Sequence, residues 1–251
     1  MTTLSSIMWA NPILALVRLF TQNILTRGKM VLVLVLAAIC VVLGIAIGRV
    51  TVVDPDDTSI EFVYSFGLAL MVPILTLVVA SSALGDLVED ESLVYVWMRP
   101  VGRLTISVSA WFASLLLALP VTVIPLTASV AFATSGNPKL MSATAGAVAL
   151  AVIAYSGLFT LLGLLTRRAL IVGLAYLFIW ELFVARVGGG AAKLSISTYP
   201  SAALTKWSEV EPFGLDVFVE RSLTAAVVVP IVVGLVSVFL TAFWLTRARV
   251  A

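Results

Sequence analysis

Few residues in this chain are equipped for chemistry, and their types narrow what that chemistry is. Asp86, Glu89, Asp90 and Glu91 put four acids within six residues, and an apolar, aromatic run containing Ser92 and Tyr95 leads from them to Arg99-Pro100 and Arg103. Glu181, in the stretch LFIWELFVARV, is the one ionisable side chain set well inside an apolar segment. Histidine is absent and Cys40 is the sole cysteine. That removes His-based triads, imidazole bases, most zinc sites, internal disulfides and cysteine metal clusters. No G-x-x-x-x-G-K-[ST] stretch occurs, so the chain is not expected to bind ATP through a P-loop. No carboxylate pair or Ser–Lys pair lies at a spacing that makes a hydrolase. We expect no catalytic residue, no metal site and no cofactor in this chain.

The acidic stretch, residues 84–104, reads LGDLVEDESLVYVWMRPVGRL. Gly85 is placed to end a preceding helix. Asp86 then serves as N-cap of a new one, with Glu89 three residues on in capping-box register. Glu89, Asp90 and Glu91 would occupy the positive end of that helix, Arg99 would lie near its negative end, and Pro100 would stop it. The spacing predicts a short self-capped helix over Asp86–Met98, acidic early and apolar late. One reading is a solvated turn with ordinary caps. The other is a docking surface, since aromatic surface beside an acidic face suits a protein partner. Glu181 also has two readings. It lies about twelve residues from one end of its segment, which at about 1.5 Å per residue places it in the far half of a bilayer crossing. A charge at such depth costs about 2.5–3.5 kcal/mol, so it must face protein or water. It either lines a translocation path or is a structural carboxylate hydrogen-bonded to a loop backbone or a Trp.

The elements that must position these groups belong to a membrane. Of 251 residues, 61% are hydrophobic and 11% charged, with a mean hydropathy of +1.16. Soluble domains are about half apolar and a quarter charged. A core of this size could not bury so much apolar surface, so the class is all-α membrane protein. The net charge of +2 leaves no footprint for nucleic acid. Heavy use of Ala, Val and Leu points to a GC-rich bacterial genome. No cleavable leader is expected, because the first apolar stretch of spanning length begins near Met30 and no A-x-A-like site follows it.

Residues 11–29 form an amphipathic helix opened by Asn11-Pro12, with Ile13, Leu16, Val17, Phe20 and Ile24 on one side and Arg18, Gln22 and Thr26 on the other. It suits an interfacial position, or else it extends the first span. Six crossings follow, over about 30–48, 62–82, 105–133, 140–166, 169–187 and 222–246. The acidic loop RVTVVDPDDTSIE joins the first two, a TSGNPK turn the third and fourth, Arg167-Arg168 the fourth and fifth, and residues 188–221 the last two. The last loop reads as short helices or a re-entrant piece on the outer surface. With both termini cytoplasmic, nine Lys/Arg face inward (Arg18, Arg27, Lys29, Arg99, Arg103, Arg167, Arg168, Arg247, Arg249) against six outward (Arg49, Lys139, Arg186, Lys193, Lys206, Arg221), the sense of the positive-inside rule. Pro73, Pro120, Pro125 and Pro230 lie inside spans, as kinks that shape the bundle or as hinges. Gly157, Gly163 and Gly173 permit close helix approach.

The run GDLVEDESLVYVWMRPVGRL resembles a loop of ABC transporter permeases of the ABC-2 exporter type. There an acidic turn leads through a Thr- or Ser-containing helix to an Arg-Pro-Val/Ile-x-Arg ending. Glu89 and Ser92 match the acidic and Thr/Ser positions, Arg99-Pro100-Val101 and Arg103 match the ending, and Glu91 stands where the family usually has Gly. The layout of an elbow helix, six spans and a larger outer loop before the last span is similar too. Trp180-Glu181 resembles a feature of the branch that includes nitrous-oxide-reductase maturation permeases. The resemblance implies a single permease domain over residues 1–251 in a bacterial inner membrane. It implies a partner permease copy or paralogue, two separate ABC ATPase subunits carrying ATP and Mg, and surrounding lipids. The function implied is export of a lipid, peptide or amphipathic drug-like substrate. Residues 84–104 would be the coupling loop: Asp86, Glu89, Asp90, Glu91, Ser92 and Tyr95 would meet the ATPase, and Arg99, Pro100 and Arg103 would end and anchor it. Glu181 would line the path. Other classes the sequence leaves open are an ATPase-independent ion-coupled transporter or channel using Glu181, and a membrane scaffold subunit.

Overall fold

The computed structural model describes residues 12–50, 55–92, 101–184, 192–209 and 221–247. Among these residues the chain is all-helical. Five helices are long and apolar enough to cross a membrane, which makes this a multi-pass membrane protein. We number the helices α1 (Pro12–Ile24), α2 (Arg27–Val50), α3 (Pro55–Glu89), α4 (Arg103–Ala133), α5 (Pro138–Leu165), α6 (α-helical over Ala169–Tyr176, π-helical over Leu177–Val184), α7 (Thr198–Ser208) and α8 (Leu223–Arg247).

The hub is α5. It packs against α3, α4, α7 and α8, and Tyr155 and Phe159 are wholly buried on it, stacked with ring centroids 5.6 Å apart. By contrast α2 leaves Val31, Leu34 and Val42 at 60–63% exposure, an apolar exterior suited to lipid rather than water. Helix α1 lays Leu16, Phe20 and Ile24 against α4 and α3, one residue per turn of the buried stripe, and leaves Ile13 exposed. It ends at Ile24. Arg27 and Lys29, expected within this first helix, belong instead to the first turn of α2. Asn11, the expected N-cap, lies outside the described residues.

Three expectations change. First, α3 does not begin near Phe62. Its first turn starts at Pro55, with Asp56 and Asp57 at the positive end of the helix, so part of the expected acidic loop is helical. Second, α3 and α6 each contain a π-helical segment, Val63–Met71 and Leu177–Val184. In α3 the wide register is visible where the Val72 N–H donates to the Gly67 carbonyl, and the α-helix resumes at Val72, with Pro73, which has no N–H to donate, in its first turn. Third, Gly85 does not end a helix. Helix α3 runs through it to Glu89. The close approach of α5 here rests on Gly163, where a Cβ would collide with the Ser81 carbonyl oxygen, whereas a Cβ at Gly85 would make ordinary contact with Gly163 at 3.4 Å. Asp86 is therefore not an N-cap but part of the last turn of a long helix.

The segment expected to be the fifth crossing, 169–187, is helical from Ala169 to Val184 and is shorter than the five long helices. The expected outer loop contains α7, which is buried against α5 and α8 rather than lying on a surface. Trp207 of α7 lies over Gly146 of α5, where any Cβ would meet the indole at 2.6 Å.

Candidate functional site

Two polar constellations stand out, one at an end of the bundle and one buried within it. The first is built on the C-terminus of α3. The orphan carbonyls of that terminus are closed by a Schellman arrangement: the Glu91 N–H donates to the Val88 carbonyl and the Ser92 N–H to the Leu87 carbonyl, at 3.0 Å. This motif needs a left-handed residue at its C′ position, and Glu91 supplies it with φ 55°. Acids here sit at the negative end of the helix, the reverse of the expected placement, and cations from other elements offset this. Lys29 of α2 pairs with Asp86 at 2.5 Å, both half-buried, and Arg167 of the α5–α6 connection pairs with Glu91 at 3.2 Å, both exposed. Glu89 and Asp90 are exposed, and Arg103 is half-buried in the first turn of α4. Tyr95, Arg99 and Pro100 lie outside the described residues. Lys29 and Arg167 escape a local reading of the loop. The signal for them was global: both flank spans on the side to which the charge count assigns this loop.

A left-handed non-Gly residue is strained, so Glu91→Gly is expected to stabilise the protein by about 1 kcal/mol. The Arg167 pair it forfeits is exposed and worth little. Detergent melting curves of the two proteins check this. A lower melting point for the glycine variant would show that the ion pair outweighs the backbone.

At the opposite end, charges are also paired. Asn137 caps α5 by accepting from the Lys139 and Leu140 N–H groups, and its amide donates to Asp56 at 2.9 Å. Lys139 meets Glu209, an exposed pair at 2.5 Å.

The second constellation surrounds Glu181, which is only 4% exposed. Its carboxylate accepts five hydrogen bonds. Onto Oε1 come the Tyr176 hydroxyl and the Ile196 N–H, each at 3.0 Å; onto Oε2 come the Ser197 hydroxyl at 2.8 Å, the Ser197 N–H at 3.4 Å and the Ser195 hydroxyl. Five residues apart, Tyr176 and Glu181 would point in different directions on an α-helix of 3.6 residues per turn. The π register, bonded i→i+5, brings them to one side. The Tyr155 hydroxyl of α5 lies within electrostatic reach of Glu181 and Ser197. The turn before α7 is tied down further. Thr198 donates to the Ala192 and Ser195 carbonyls, and Arg221 donates to the Ala192 carbonyl while stacking 4.0 Å over the Tyr199 ring. Glu181 thus fastens the segment leading into α7 to α6. The hydroxyl pair Ser195-x-Ser197 and the two tyrosines were missed from sequence, where nothing but hydroxyl spacing marks them. Trp180 is half-buried and makes no hydrogen bond to Glu181 among the described residues.

A carboxylate has about four lone-pair directions. Those of Glu181 are filled by its own chain, so the geometry is that of an anchor. Among the described residues no cluster of His, Cys, Asp or Glu could hold a metal ion. No family model, curated protein or solved structure matches this chain.

Proposed function

We propose that the chain is the membrane permease subunit of an ATP-driven ABC exporter, moved by separate ATPase subunits that dock on the end of α3. The observation that carries this reading is the conformation of Glu91. The loop resemblance expects Gly at that position, and Glu91 is the residue held at positive φ in the turn that ends α3. A position built for Gly is what a shared turn geometry would leave behind.

The surroundings give the turn leverage. Glu89, Asp90 and Glu91 are exposed for a partner, while Lys29 and Arg167 tie the same turn to α2 and to the α5–α6 connection. A push on the turn reaches α2 through the half-buried Lys29–Asp86 pair, and α3 carries it into contact with α5 along the core. In this reading α6 is the sixth crossing, α1 lies in the cytoplasmic interface, both termini are cytoplasmic, and a second permease copy or paralogue completes the exporter in a bacterial inner membrane. The apolar helices fit a lipid, peptide or amphipathic drug-like cargo. Ion coupling through Glu181 has less support, because that carboxylate is already filled.

The test is co-purification with the candidate ATPase subunit. Glu89→Lys combined with Glu91→Lys is expected to abolish complex formation and permease-dependent ATPase stimulation while leaving the chain folded. Unchanged complex and coupling would overturn the docking assignment.

A further inference from the structure

Beside the docking turn, and sharing Glu89 with it, lies a cleft of about 330 Å³ between the last turn of α3 and the first turn of α6. Its two walls carry opposite charge. Asp86 and Glu89 stand on the α3 side, and Arg167 and Arg168 on the α6 side, with Leu170 and Ile171 continuing down α6. Asp86 is held by Lys29 and Arg167 by Glu91, but Glu89 and Arg168 form no ion pair among the described residues. Both side chains are exposed and line one cleft without closing on each other. Arg168 is the N-cap residue of α6 and its guanidinium has no acceptor with which to cap, and Ala169, Leu170 and Ile171 of the following turn line the cleft. Below the charges, Leu170 is 41% exposed and Leu174, one turn further along the same face, 36%, which continues the cleft as apolar surface of α6.

We propose that this cleft binds a phospholipid whose headgroup joins a phosphate to a primary ammonium. The phosphate lies on Arg168 and the first turn of α6, where a planar guanidinium and helix N–H groups favour it. The ammonium donates to Glu89 and the rim of Asp86 through charge-assisted hydrogen bonds. The acyl chains follow Leu170 and Leu174. The depth is right for this occupant: the charges sit where α3 and α5 leave the apolar span, and basic pockets at that level between transmembrane helices hold lipid headgroups. A choline headgroup carries the same net charge but no N–H to donate, and a glycerol headgroup has no cation for Glu89.

The experiment is lipid competition on the purified chain alone. The delipidated protein in detergent is offered equal amounts of phosphatidylethanolamine, phosphatidylcholine and phosphatidylglycerol with matched acyl chains, and retained lipid is counted by native mass spectrometry. The ethanolamine lipid should be retained about tenfold over the choline lipid, the worth of the lost charged hydrogen bonds. Glu89→Gln should erase that preference. Arg168→Gln should weaken retention of all three, and Arg168→Lys should restore it in part. Equal retention of ethanolamine and choline lipids, or preference for the glycerol lipid, overturns the proposal. So does binding of free phosphoethanolamine as tight as that of the lipid, which would make this a soluble-ligand site. The competition needs no variant and no ATPase, so its failure leaves the exporter reading standing, and failure of the ATPase co-purification leaves the lipid site standing.

Discussion

Glu181→Ala is expected to destabilise the protein by about 3–5 kcal/mol, because it strands several buried donors at once. The Ile196 and Ser197 N–H groups and the Ser195, Ser197 and Tyr176 hydroxyls all converge on that carboxylate. Alanine also leaves a void beside the wholly buried Tyr155. The loss should be visible as a fall of about 10 °C in the detergent melting temperature. Glu181→Gln separates satisfaction from charge. Its oxygen can still accept from Tyr176 and Ile196, while its NH2 can donate to serine hydroxyls that rotate to accept, and only the Ser197 N–H loses its acceptor. We therefore expect Gln to retain more than half of the stability that Ala loses. Proteolysis between α6 and α7 should quicken in the alanine variant, since the turn before α7 is fastened there. If alanine melts with the parent protein, the anchoring role of Glu181 is wrong.

Gly157→Leu is the second large effect, and it acts on backbone rather than on hydrogen bonds. A Cβ at Gly157 would sit 2.7 Å from the Gly234 carbonyl oxygen and 2.9 Å from the Gly234 Cα. The contact is reciprocal in kind, since a Cβ at Gly234 would meet the Ile153 carbonyl oxygen at 2.7 Å. No rotamer relieves a clash between Cβ and backbone, so α5 and α8 must separate. The buried interface around them, with Ser237 and Val238 on α8, would open. We expect about 3 kcal/mol or more of destabilisation, with most of the protein lost to aggregation on detergent extraction. Gly157→Ala already introduces the offending atom and should cost a large part of this. Gly28→Leu is the control. Nothing lies within 4 Å of a Cβ there, and leucine is the better helix former, so stability should hold or rise slightly. Fluorescence-detected size exclusion of the three variants decides the matter, and a monodisperse Gly157→Leu protein would contradict the assigned contact.

Reading Gly85 as a helix stop was reasonable on local grounds and wrong in the fold. Glycine serves two needs, a left-handed cap and a close helix crossing, and the choice depends on what lies opposite. Opposite Gly85 is Gly163, and Gly163 is the glycine the crossing needs, since a Cβ there would collide with the Ser81 carbonyl oxygen, so the helix runs on through Gly85. The cap falls six residues later on Glu91, which no propensity would select. Asp54-Pro55-Asp56-Asp57 shows the converse. Proline followed by acids is a helix-start pattern, and Pro55 does open α3, although the polar composition reads first as a loop. At Glu181 the bonds from a loop backbone match one of the two readings of the sequence, and the hydroxyl partners are what escaped it. Matching Tyr176 to Glu181 requires a π register, and apolar patterning on an α-helical period cannot disclose it.

What the sequence determines by itself is a matter of composition and length. A chain this apolar must hide its backbone polar groups from lipid, and helices of about twenty residues satisfy them locally, so membrane class and most span positions follow from hydropathy alone. The isolation of Glu181 among apolar residues likewise compels a partnered site, whichever partners those are. The tertiary structure alone decides which partners. Lys29 and Arg167 reach the end of α3, Ser195 and Ser197 reach Glu181, and Gly157 meets Gly234 only because separate helices are brought side by side. Those contacts join residues far apart in the chain, and inside a membrane the force that orders helices is shape and hydrogen bonding between them, which hydropathy does not encode.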